Sequence, residues 1–481
     1  MNLHSHFRRY PILTCFLVIL LAMLGASCKK EHKVTPIIPP PINDSTIHKV
    51  SSTKDILTFT LLKANNSSFY SGDETVSIVG DSIKVLVPGT AIVNSLSPTI
   101  QINGVRISPS SGIVQDFTKP VSYTVTAEDS TKKTYVVVVK QDKLKNLLYT
   151  GSGSTNFYAL DLRNGDEIWH YSSGGTFHYS NPLLDNGTVY AGSVDGSLYA
   201  FSAAYGTVKW KFTTGSSILS APALANGILY FASDDHNVYA ADAATGNLKW
   251  KYATGGNVDS SPVVSNGVLF IGSTDNNLYA IDAASGTIKW HYTMTTTAVE
   301  ASPVVANGVV YIGERGGFLN AIDITTGLLK WQFSTNGISL EQSRPVESNG
   351  IIYIASWYNT NDFTKAGSVY AINETDGSLK WQVLDNTGFS TGPTFADDNI
   401  FISADDGYVY ALSGVNGNVL WKNQLYPNGA MPAAIGGVVY IGSATGNIYA
   451  LNETDGTVKW KSVETTGLNN SKPVIIDANG N

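Results

Sequence analysis

The sequence predicts an all-β chain: an eight-bladed β-propeller preceded by a small Ig-like β-sandwich. Three observations carry this. Tryptophan recurs on a ruler as Trp169, Trp210, Trp250, Trp290, Trp331, Trp381, Trp421 and Trp460, spaced 41, 40, 40, 41, 50, 40 and 39 residues apart. Each is preceded four residues earlier by a glycine: Gly165, Gly206, Gly246, Gly286, Gly327, Gly377, Gly417 and Gly456. Between these marks run four short apolar stretches separated by turn residues, with no helical periodicity. A self-similar period near 40 residues means stacked or radially arranged units, and four strands per unit describe a propeller blade.

The chain begins with Arg8 and Arg9 followed by an apolar stretch from Ile12 to Leu24, too short for a good membrane span and expected to be an export signal. Leu24-Gly25-Ala26-Ser27-Cys28 is similar to a bacterial lipoprotein cleavage site, with Leu one place early. Of the two cysteines, Cys15 falls inside the signal and Cys28 would carry the lipid, tethering the chain to the outer membrane of the cell envelope. Residues 29–50 are charged and then proline-rich (Pro36, Pro39, Pro40, Pro41), the composition of a stiff tether. Residues 51–143 alternate in runs at Ile56–Leu62, Ser82–Val87, Thr99–Ile102, Val121–Ala127 and Thr134–Val139, which predicts an Ig-like sandwich without a disulfide. The stretch from Phe117 to Ala127 resembles Ig-like modules of bacterial surface lipoproteins.

From 144 to 481 the repeats take over. In the unit from Ser261 to Tyr292, Pro262–Val264 ends in Asn266-Gly267, a strong hairpin signal because both residues accept positive φ. Val268–Gly272 and Leu278–Asp282 follow. The fourth run alternates, with Ile288, Trp290 and Tyr292 expected on one side and Lys289 and His291 on the other. The first unit starts at Leu147 with a second strand, while Ser471–Ile476 has the pattern of a first strand. The C-terminal segment is therefore expected to complete the blade begun at Leu147, leaving no open edge.

The stretch Leu278-Tyr279-Ala280-Ile281-Asp282, then Gly286 and Trp290, resembles the pyrroloquinoline-quinone (PQQ) propeller family, and is similar to the propeller lipoproteins of the outer-membrane β-barrel assembly machinery. The resemblance implies that all eight tryptophans dock one blade against the next. It also raises an enzymatic alternative, a PQQ- and calcium-dependent dehydrogenase of an alcohol or sugar. Many such enzymes stack the quinone on a disulfide of adjacent cysteines, and this propeller has no cysteine.

Composition narrows the partners. A net charge of −7 and only 14% charged residues argue against a nucleic-acid surface. The residue three places before each first-strand proline is expected at the channel mouth: Tyr179, Leu219, Asp259, Glu300, Gln342, Ser390, Gly429 and Asn470. Asp259 and Glu300 are the candidate calcium ligands, as hard oxygen donors. The 50-residue interval places an insertion in the sixth blade that begins Trp357-Tyr358. With Arg315, Glu341 and Gln342 on the same face, these aromatic and polar side chains suit a sugar ring or a protein partner. The expectation is a monomeric, non-enzymatic envelope lipoprotein whose propeller is a binding or scaffold platform for a protein or glycan, with no bound cofactor.

Overall fold

The computed structural model describes residues 50–477 except 63–64, 67–73, 88, 142–143, 178–180, 296–298, 358–366, 385–386, 428 and 463–470. The expected signal, Cys28 and nearly all of the tether lie outside the described residues. No α-helix occurs among those described.

The N-terminal module has two sheets. Ile56–Thr60 pairs with Thr99–Ile102, while Thr75–Val79, Ser82–Val87, Lys132–Gln141, Val121–Thr126 and Arg106–Ser108 form a five-stranded sheet in that order. Alternation is the reason: in Ser82–Val87, Ile83, Val85 and Val87 are buried while Lys84 and Leu86 are exposed. Phe59 of the smaller sheet packs edge-on against Tyr123 of the larger, so one core is shared. Sequence reading missed Thr75–Val79, which is exposed at four of its five positions, and the three-residue Arg106–Ser108.

Eight four-stranded antiparallel sheets follow among the described residues. Blade 1 combines Leu147–Gly151, Asn156–Asp161 and Glu167–Ser172 with Val474–Ile476. Blades 2 to 8 run from Leu183 to Thr213, Ala223 to Ala253, Val263 to Thr293, Val304 to Ser334, Val346 to Leu384, Thr394 to Gln424 and Ala433 to Lys461. Val474, Ile475 and Ile476 pair with Tyr149, Leu148 and Leu147, so the last described strand completes the blade that Leu147 opens. In blade 4 the turn between the first two strands is Asn266 at φ 50° and Gly267 at φ 75°, the left-handed pair that fits the twist of a two-residue hairpin.

The phase expected for the fourth strand is corrected. Ile288 is exposed while Trp290 and Tyr292 are half-buried. The cause is a bulge: Ala280 pairs with Trp290 but Ile281 pairs with Ile288, so Lys289 is the extra residue and Ile288 turns to the other side. A register shift recurs in the fourth strand of every blade.

The recurring glycine and tryptophan meet across blades. Trp250 donates its indole N–H to the Ala283 carbonyl of blade 4 at 3.0 Å, and Tyr230 donates its hydroxyl to the same oxygen at 3.0 Å. A Cβ on Gly286 would lie 2.7 Å from Trp250 Cδ2. The other seven indoles donate to carbonyls of the following blade in the same way, ending with Trp460 on Leu162 of blade 1 at 2.9 Å. Asp282 shapes the turn that presents the carbonyl, since its Oδ1 accepts from the Ser285 amide and hydroxyl.

Gly267 and Gly286 share a φ of 74–75°, but only Gly286 faces an indole. Gly267→Ala should cost about 1–2 kcal/mol for the left-handed backbone alone. Gly286→Ala should cost a further 1–3 kcal/mol or so from overpacking. Urea denaturation of the two variants measures the difference.

Candidate functional site

The loops entering the first strands and the turns joining second to third strands converge on one end of the channel. There the entry loops line a cavity of about 430 Å³. Its lining includes Leu219, Asp259, Glu300, Gln342, Ser390 and Gly429, supplied by the entry loops of blades 3 to 8. Tyr179 and Asn470, the remaining positions on the proline ruler, lie outside the described residues.

An acidic arc occupies one side. Asp259 is raised to about 8, first by burial, then by a hydrogen bond with Asp234 and by the charges of Asp234 and Glu300. Asp234 sits in the turn between the second and third strands of blade 3, so the group that acts on Asp259 comes from the preceding blade. Oδ1 of each of these aspartates is buried without a hydrogen-bond partner. Glu341 is also raised, by burial and then by Glu300, with Arg315 opposing. Its carboxylate is only 6% exposed and lies 3.4 Å from Arg315 Nε, which remains about half exposed. Glu341 was expected on the contact surface and is instead buried beneath it; Arg315 and Gln342 are the exposed members.

Blade 5 departs from its neighbours for a visible reason. In blades 2, 3, 4 and 7 an aspartate in the turn accepts a tyrosine hydroxyl at 2.6 Å: Asp195 from Tyr199, Asp235 from Tyr239, Asp275 from Tyr279, Asp406 from Tyr410. Blade 5 has Gly316 and Asn320 at those places. Glu314, fully buried, accepts from the Thr295 hydroxyl there at 2.9 Å.

Trp357 is half-buried, and its indole N–H donates to Asp405 Oδ2 of blade 7 at 2.6 Å. The other oxygen of Asp405 accepts from the Ser390 hydroxyl at 2.7 Å. The ring therefore stands beside the cavity, fixed through Asp405 to a residue that lines it. Tyr358 and most of the insertion lie outside the described residues.

Asp259 and Glu300 share the cavity, yet among the described residues no three acidic, histidine or cysteine side chains converge closely enough to hold a metal ion. Asp259 is instead engaged with Asp234. This donor set does not fit the calcium that the PQQ resemblance implies.

Sequence reading missed the position directly before each first-strand proline: Asn181, Ala221, Ser261, Ser302, Arg344, Gly392, Met431 and Lys472. The same prolines mark it. Neighbouring blades are stitched here, with the Ala221 amide donating to Ser261 Oγ at 3.0 Å, the Ser261 amide to Ser302 Oγ at 2.9 Å and the Lys472 amide to Asn181 Oδ1 at 2.6 Å.

With eight linked blades and this mouth in view, the class is that of a PQQ-like β-propeller joined to a β-sandwich module. Residues 144–222, 214–361 and 365–477 match the PQQ-like repeat family described as outer membrane protein assembly factor BamB, and the chain belongs to that family. Residues 56–139 match the family described as SGBP, N-terminal. The outer membrane protein assembly factor BamB of Moranella endobia (strain PCIT) is 32% identical over 116 residues, 20% of this chain and 28% of that protein. That of Yersinia pestis is 31% identical over 88 residues, 17% of this chain and 20% of its own length. The aligned stretches thus span under a third of these curated relatives. BamB from Moraxella catarrhalis superposes with a TM-score of 0.54 at 19% identity, over 63% of this chain and 92% of that one. A quinohemoprotein alcohol dehydrogenase from Pseudomonas putida HK5 superposes with a TM-score of 0.51 at 19% identity, over 64% and 69%. The likeness to both structures is one of fold.

Asp259 titrates well above its ordinary 3.8 because the folded chain holds the proton. The stabilisation from this proton is complete below about pH 4 and is lost as pH rises through about 8. The melting temperature should therefore decline between pH 5 and 9, and Asp259→Asn should flatten that decline in a calorimetric series.

Proposed function

We propose that the protein is a binding protein of the bacterial cell envelope, and that its propeller presents the channel mouth to a glycan while the N-terminal module acts as a spacer. The observation that carries this reading is the mouth itself: a cavity of about 430 Å³ lined by carboxylates, an amide and hydroxyls from several blades, beside a fixed indole. Such a volume lies within the range of small-molecule sites, about 300–1,000 Å³. Glu300 and Gln342 can accept hydrogen bonds from sugar hydroxyls, and Gln342 can also donate. Trp357 offers an apolar face with few rotamers to lose. The matches to an SGBP N-terminal module and to an outer membrane assembly factor support an envelope location and a binding or scaffold role. Lipidation at Cys28 would provide the anchor.

The chain from Ser51 onward, titrated calorimetrically with a panel of envelope and plant oligosaccharides, should bind at least one saturably. Trp357→Ala and Gln342→Ala should each weaken that binding by tenfold or more, about 1.4 kcal/mol. Lys459→Ala, on the outer strand of blade 8, should leave it unchanged. Absence of binding across the panel, with retention of an envelope protein that Trp357→Ala releases, would replace the glycan by a protein partner.

A further inference from the structure

The mouth cavity also holds a cation, Arg344, which lines it together with Asp259, Glu300 and Glu341. Arg344 and Lys472, each directly before a first-strand proline, line a second cavity of about 400 Å³ together with residues of blades 2, 3 and 4. Contributions from five blades to one cavity put it on the propeller axis. Among the described residues neither cation forms an ion pair or a side-chain hydrogen bond with any group of the chain. Arg344 shares the mouth cavity with Asp259, Glu300 and Glu341, yet none of these carboxylates pairs with it at ion-pair distance.

Two cations lining one cavity without an ion-pair partner are costly, because each repels the other. Both keep surface open to water, yet the surrounding strands crowd them enough to lower both pKa values. Lys472 falls to about 8, by burial first and then by the charge of Arg344; Arg344 is lowered by burial. A chain that needed only to fill this ring has simpler solutions at the other positions, which hold Ala221, Ser261, Ser302, Gly392 and Met431. Asn181 and Ser261 add polar groups to the same cavity. The acidic arc nearer the mouth would disfavour an anion arriving there, so a bound anion would be held by the deeper ring.

We propose that the propeller channel holds an oxyanion between Arg344 and Lys472, the guanidinium giving a planar fork to two oxygens and the ammonium a point charge to a third. The chemistry fits inorganic phosphate or sulfate, and equally a carboxylate carried on a larger molecule. The site adjoins the mouth cavity, which Arg344, Asn181 and Ser261 also line, but it does not rest on the glycan reading.

Phosphate, sulfate and glucuronate, each titrated into the chain from Ser51 onward against sodium chloride of equal ionic strength, test this by melting temperature and calorimetry. A saturable rise with phosphate or sulfate supports a free inorganic anion. A rise with glucuronate alone supports a carboxylate brought by a larger ligand. Lys472→Gln and Arg344→Met should each weaken the binding by about tenfold or more. Without added oxyanion, both substitutions should raise the melting temperature, because each removes an uncompensated charge. The proposal is overturned if none of the three anions acts beyond the chloride control, or if the effect survives both substitutions unchanged. A fall in melting temperature for both variants without anion would also overturn it, since the cations would then be held by the chain's own groups.

Discussion

The hydrogen bond from each indole to a carbonyl of the next blade is the interaction on which the rest of the propeller depends. A four-stranded sheet has two apolar faces and cannot bury either by itself. Each blade must therefore be held at a fixed angle to its neighbour. The tryptophan does this by packing flat over a glycine and donating to an oxygen three residues before that glycine. Where a tyrosine hydroxyl reaches the same oxygen, as Tyr190 does beside Trp210 on Ala243, one carbonyl fixes two side chains. Glycine is required twice over, for its positive φ and for the space its missing Cβ leaves. The bulge in the outer strand belongs to the same device, since it sets the phase in which the indole turns inward.

This scaffold was highly legible because it is written eight times. A single Gly-x-x-x-Trp would carry little, but its recurrence near every 40 residues specifies blade number, strand order and closure together. The bulge was not legible, because an extra residue is invisible to a period of two until pairing is known. Thr75–Val79 was missed for a related reason: a strand lying mostly in solvent has no buried face to impose alternation.

The mouth was legible to the extent that it follows the proline ruler. Leu219, Asp259, Glu300, Gln342, Ser390 and Gly429 all fall on one cavity because each is a fixed number of residues from a first strand. Partnerships across blades were not. Nothing near Glu341 in sequence says that it lies buried against Arg315, and Asp405, which holds Trp357, is 48 residues away. Arg344 and Lys472 lie 128 positions apart and meet only because the ring closes. Spacing within a repeat locates a residue around the axis, whereas charge balance depends on which blades become neighbours.

Closure through Val474–Ile476 also has a consequence in time. Ser471, whose hydroxyl meets that of Thr150 at 2.9 Å, is made 321 residues after it. On a ribosome adding ~5–20 residues per second, Leu147–Gly151 waits tens of seconds with one edge unpaired. During that interval seven blades can assemble in order, but the circle stays an arc whose two ends are open to strands of other chains. Emergence of the three-residue segment Val474–Ile476 turns that vulnerable arc into a ring, and its arrival thereby governs whether the newborn molecule stays solitary.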